Sequence, residues 1–117
     1  MLVASRDANV KSFTYAASSS TYGDHPDLPK VEANIGNPLS PYAVTKLVNE
    51  LYADDFSKTY GLNTVGLRYF NVYGPREFFK GNTSSMVIQL GHQILSGKAP
   101  RLFKDSYKIF RDFIYID

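Results

Sequence analysis

Apolar residues along the chain follow two rhythms. Val44, Leu47, Val48, Leu51, Tyr52 and Phe56 recur at the spacing of one helix face. Ser40 suits the N-cap, Pro41 the first helical position and Gly61 the stop, so a helix is predicted over residues 41–60. A second helix carries Met86, Val87, Leu90, Ile94 and Leu95, capped by Ser84 or Ser85 and stopped by Gly97. Residues 1–9 read as the end of a helix closing at Ala8-Asn9. Between these lie β-prone runs at 12–17 (SFTYAA) and 62–70 (LNTVGLRYF), with shorter ones at 101–103 and 109–116. Polar stretches separate them. Residues 18–40 hold Gly23, Pro26, Pro29, Gly36 and Pro38, while residues 71–83 hold the Gly74-Pro75 breaker. Strands alternating with helices, in the order (α)β–α–β–loop–α–β–β, predict an α/β fold with parallel strands. A loop as long as 18–40 within a compact domain is usually functional.

Composition narrows the chemistry. At 117 residues the chain has room for one modest domain, so a complete two-domain enzyme is not expected. A net charge of +2 gives no electrostatic case for nucleic acid or an anionic membrane. The absence of cysteine excludes disulfides, thiolate catalysis and cysteine-ligated zinc. No apolar run approaches the ~20 residues of a spanning helix, and MLVASRDANVK does not resemble a secretory signal. A cytoplasmic location is expected. Neither His25 nor His92 has a ligand partner at metal-binding spacing, so no metal site is expected. The aromatic residues read mostly as core, and Glu50, Asp54 and Asp55 as a solvated helix face.

Four places can carry chemistry. Tyr42 and Lys46 stand four apart on the predicted helix and share a face, where an ammonium favours the phenolate form needed of a base. An amphipathic helix also produces such a pair by chance. Ser18, Ser19 and Ser20 fall where the first strand ends, the edge at which α/β sheets bind ligands. Their hydroxyls suit a substrate alcohol or a carbonyl oxygen, or they form a plain serine turn. Asn71 is expected to end the strand of 62–70, with its amide turned to a sugar or phosphate or simply closing a turn. Arg111 can grip a diphosphate bidentately or pair with Asp112 on the surface.

Taken in order, S-S-S-T-Y-G, S-P-Y-A-V-T-K, L-R-Y-F-N-V-Y-G-P-R and R-D-F-I-Y-I-D resemble the extended short-chain dehydrogenase/reductases. These are the NAD(P)-dependent nucleotide-sugar epimerases and dehydratases, and the likeness covers essentially the whole chain. It implies a partial doubly wound, Rossmann-like parallel sheet and NAD or NADP as cofactor. It also implies Ser18, Tyr42 and Lys46 as a catalytic triad, with Tyr42, Lys46, Tyr69 and Val72 at the cofactor. The implied partner is a nucleotide-diphosphate sugar, and the implied full-length assembly a homo-oligomer. Ser19, Ser20, Asn71 and Arg111 would touch the sugar nucleotide. Residues 16–52 look most like UDP-N-acetylglucosamine or UDP-glucose 4-epimerases, and residues 71–117 like ADP-L-glycero-D-manno-heptose 6-epimerases. The second likeness implies Lys80 as a further acid/base, with Asn82, Gln89, Phe103, Lys104, Asp105 and Ser106 lining the site. Asn82 and Gln89 stand where that subfamily's pattern has Ser and His. The heptose likeness is preferred because its distinguishing chemistry lies in the second half.

The family's G-x-x-G-x-x-G loop, which seats a pyrophosphate on a helix N-terminus, has no counterpart among these glycines. The chain therefore reads as the middle segment of a larger enzyme, with catalytic residues but no dinucleotide cradle. A truncated or non-enzymatic chain that keeps the motifs is the rival reading, and titration with NAD(P) separates the two.

Overall fold

The computed structural model describes residues 1–116, in two compact units divided after Tyr69. The fold is α/β with parallel strands, as the sequence predicts.

In the first unit, α1 (Leu2–Asp7) leads into β1 (Phe13–Ala16). A 3₁₀ turn (Ser19–Tyr22) and a long loop reach α2 (Pro41–Tyr60), which returns to β2 (Thr64–Leu67). β1 and β2 pair in parallel from Phe13 opposite Thr64 to Ala16 opposite Leu67, giving a β–α–β unit. Capping follows the sequence closely: Ser40 Oγ accepts the Ala43 N–H at 3.1 Å, and Gly61 closes the helix at φ +68°. The second unit holds β3 (Asn71–Tyr73), a 3₁₀ segment (Phe78–Thr83), α3 (Met86–Leu95), a short 3₁₀ turn (Ser106–Lys108) and β4 (Phe113–Tyr115). β3 and β4 pair in parallel, Asn71 opposite Phe113.

Several expectations need correction. The run 62–70 narrows to Thr64–Leu67, and Asn71 opens a new strand rather than ending that one. Residues 101–103 form no strand, and the run 109–116 narrows to Phe113–Tyr115. The apolar stripe of α2 is not its buried face. Ala43 and Ala53 are buried, whereas Val44, Val48, Leu51 and Tyr52 remain exposed. Small residues let the helix approach its neighbours closely and leave the bulky ones outward. The aromatic residues are likewise poorly covered. Tyr22 is buried, but Tyr42, Phe79, Phe103 and Phe110 are exposed, because a two-stranded sheet with few helices offers little interior. No helix among the described residues is long and apolar enough to cross a membrane. Asp117, last residue of the R-D-F-I-Y-I-D motif, lies outside the described residues.

Candidate active site

The capping that starts α2 also positions its chemistry. With Ser40 as N-cap, Tyr42 lies in the first turn and Lys46 one turn further along the same face. Lys46 Nζ donates to the carbonyl of Ala16, the last residue of β1, at 2.9 Å. The same nitrogen lies 5.7 Å from the centre of the Tyr42 ring. The Tyr42 side chain is exposed, and its hydroxyl has no hydrogen-bond partner among the described residues. The arrangement is a phenol open to solvent with a fixed cation beside it.

Ser18 follows β1 and caps the 3₁₀ turn, which packs against α2. Its Oγ accepts from the Ser20 amide at 3.2 Å and from the Ser20 hydroxyl at 2.9 Å. A hydroxyl has two acceptor positions and one donor, so these contacts leave the Ser18 O–H to donate outward. Ser19 donates its N–H to the carbonyl of Tyr69 at 2.9 Å, which fastens the turn to the chain leaving β2. The first unit thus brings the serine turn, Tyr42 and Lys46 to the carboxyl ends of its parallel strands, where open α/β sheets bind ligands.

One ionic group there was misread from the sequence. Glu50, expected in solvent, is largely buried and forms a forked ion pair with Arg68. The Arg68 Nε lies 3.0 and 3.2 Å from the two carboxylate oxygens, and Nη2 lies 2.7 Å from Oε2. Those hydrogen bonds hold the Arg68 guanidinium above its already high ordinary pKa, against the opposing effect of burial. The spacing of Tyr42, Lys46 and Glu50 at every fourth position was the available signal that Glu50 shares the functional face.

The second unit has its own candidate site, a cavity of about 870 Å³. Asn71, Lys80, Asn82, Gln89, Phe103 and Arg111 all line it, as does Val72. Lys104, Asp105 and Ser106 are not among its lining residues; Asp105 pairs instead with Lys108 at 3.3 Å. Asn71 Nδ2 is committed to the Asp112 carbonyl at 2.7 Å, leaving its amide oxygen to face a ligand. Gln89 Nε2 donates to the carbonyls of Asn82 and Ser84 at 3.1 and 2.8 Å. Lys80, Arg101 and Arg111 bring positive charge to the lining. Glu77, the one lining carboxylate among the described residues, is buried and accepts the N–H groups of Gly74 and Ser85 at 2.8 and 2.6 Å. Those backbone donors, Ser85 foremost, hold its pKa below the ordinary carboxylate value. With its acid occupied, the cavity suits an anion. Glu77, which the sequence reading did not single out, organises this loop from the final position of N-V-Y-G-P-R-E.

The profile of the NAD dependent epimerase/dehydratase family matches residues 1–117. Among solved structures, the chain is 38% identical to a UDP-N-acetylglucosamine 4-epimerase from Methanobrevibacter ruminantium in complex with UDP-N-acetylmuramic acid. The TM-score is 0.88, over 97% of this chain and 36% of that one. An ADP-L-glycero-D-manno-heptose-6-epimerase from Helicobacter pylori is 36% identical with a TM-score of 0.82, over 97% and 35%. A UDP-glucuronic acid 4-epimerase from Bacillus cereus, in complex with UDP-glucuronic acid and NAD, is 33% identical with a TM-score of 0.83, over 97% and 34%. The chain spans about a third of the length of these relatives.

Proposed function

The chain belongs to the NAD dependent epimerase/dehydratase family, and on that premise we propose that the complete protein is a nucleotide-sugar epimerase acting by transient oxidation. The observation that carries this reading is the placing of Tyr42, Lys46 and the Ser18 turn at one end of the β1–β2 sheet. These residues fit one end of a dinucleotide. An ammonium has three N–H donors, and Lys46 uses one on Ala16, leaving two for ribose hydroxyls. Tyr69, in the same unit, is a further cofactor contact of the proposal. No glycine-rich turn among the described residues suits the pyrophosphate. In the proposal that cradle lies in the remainder of the protein, of which this chain is a middle segment.

When bound, NAD supplies the hydride acceptor and later the hydride donor. Tyr42, as phenolate, takes the proton of the sugar hydroxyl, while the Ser18 O–H donates to the same oxygen and fixes its position. Lys46 keeps positive charge beside the phenolate. The keto-sugar then presents its other face, and the new alcohol takes its proton from Tyr42 in a 4-epimerase or from Lys80 in the heptose 6-epimerase. No net redox change results.

The specific reaction proposed is 6-epimerisation of an ADP-glycero-manno-heptose. Lys80 on the cavity of the second unit supports it, as an acid/base group separate from Tyr42. Arg111, which lines the same cavity, suits the diphosphate. UDP-sugar 4-epimerisation is the second reading, favoured by the 38% identity to a UDP-N-acetylglucosamine 4-epimerase. The proposal includes a cytoplasmic homo-oligomer.

The test offers ADP-heptose and UDP-N-acetylglucosamine separately to the complete gene product and its Lys80→Met variant, with products read by NMR. Conversion of ADP-heptose by wild type only is expected. Conversion of UDP-N-acetylglucosamine by both proteins replaces the heptose reading with the 4-epimerase.

A further inference from the structure

Two adjacent residues, Arg68 and Tyr69, tie down the serine turn, and Arg68 also holds the Tyr42–Lys46 face of α2. Tyr69 acts through its backbone, its carbonyl accepting the Ser19 N–H at 2.9 Å. Arg68 acts through its side chain. Its guanidinium forks onto Glu50, at the fourth position after Lys46 and the eighth after Tyr42 on one helix face. Nη1 donates to the carbonyl of Glu32 in the long loop at 2.9 Å. The guanidinium carbon also lies 4.9 Å from the centre of the buried Tyr22 ring, the last residue of the serine turn. One planar cation thus touches the helix bearing Tyr42 and Lys46, the turn begun by Ser18 and the loop joining them.

We propose that Arg68 is a positioning residue for the catalytic triad, its fork on Glu50 and its contact with Tyr22 setting the Ser18 turn against the Tyr42–Lys46 face. The chemistry requires a guanidinium. Lysine supplies the charge at one point but cannot fork onto both carboxylate oxygens while also reaching the Glu32 carbonyl and the Tyr22 ring. The pair is largely shielded, with side-chain exposures of 16% and 15%, so solvent screens it little. A surface ion pair such as Lys58–Asp54, by contrast, joins two residues of one helix and positions nothing beyond it. Displacement of a reacting group by about 1 Å costs ~100-fold in rate, so a small loosening here is readable in turnover.

The inference rests on the proposed function for its kinetic consequence but not for its structural one, and the experiment reads both. In the complete gene product, Arg68→Lys and Glu50→Gln are compared with wild type by hydrogen exchange and by steady-state kinetics. Amides of residues 19–21 are expected to exchange at least about tenfold faster in both variants, while the β1–β2 ladder amides keep their protection. Turnover is expected to fall about 10- to 100-fold with KM for the sugar nucleotide nearly unchanged. Unchanged exchange in the turn overturns the inference whatever the kinetics show. Unchanged turnover in an active enzyme does so as well. If wild type converts no nucleotide sugar, the functional reading fails, and exchange at residues 19–21 still decides whether Arg68 positions the turn. Should Arg68→Lys not fold, Glu50→Gln carries the same two readouts.

Discussion

Replacing Tyr42 by Phe separates the chemistry of the site from its architecture. The substitution removes one hydroxyl, and that hydroxyl has no hydrogen-bond partner among the described residues. The ring stays, and its face remains available to the Lys46 ammonium, 5.7 Å away. At an exposed position with no lost contact, stability is expected to change by no more than about 0.5 kcal/mol. Turnover has a different dependence. In the proposed mechanism the phenolate accepts the sugar proton, and a positioned acid/base contributes about 10²- to 10⁴-fold, or roughly 2.7–5.4 kcal/mol of barrier. The assay pairs urea unfolding with steady-state turnover of the complete gene product, and adds NAD affinity by calorimetry. Affinity should change little in Tyr42→Phe. Lys46→Ala should weaken both affinity and turnover, because it removes the proposed ribose contact and the tie to Ala16 together. Near-normal turnover in Tyr42→Phe refutes the mechanism. A large loss of stability refutes the reading of its hydroxyl as free.

Two further outcomes follow from the local structure. Ser40→Ala leaves the Ala43 N–H without its cap and should cost about 1 kcal/mol, read as a lower urea midpoint with unchanged slope. Glu77 has a folded pKa below its unfolded one, so its contribution to stability is complete above the ordinary carboxylate value and disappears as pH falls through the folded value. Melting temperatures should therefore drop as the pH falls below the ordinary carboxylate value, and Glu77→Gln should flatten that drop.

The sequence disclosed local features better than distant pairings. Ser40, Pro41 and Gly61 mark α2 because capping and backbone restriction act within a few residues. The placement of Ser18, Tyr42 and Lys46, though not their role, was legible for a similar reason, as two of them share a helical spacing and the third follows a strand. β3 was missed because its three residues abut Gly74-Pro75, and its partner β4 lies about forty residues away in sequence. Glu50 was misassigned because nothing within α2 reveals Arg68, which reaches it from beyond β2. Glu77 escaped notice since a carboxylate that accepts backbone N–H groups has no periodic signature. The α2 stripe shows the opposite failure: apolar period located the helix correctly but chose the wrong face as buried.

The central claim is that the complete protein inverts a sugar carbon by removing and returning the same hydrogen. The direct measurement follows a nucleotide sugar deuterated at the reacting carbon through epimerisation in ordinary water, by NMR and mass spectrometry. The account expects the epimer to keep its deuterium and to gain no solvent hydrogen at that carbon. Washout of the label, or no epimer from ADP-heptose or any UDP-hexose, would contradict it.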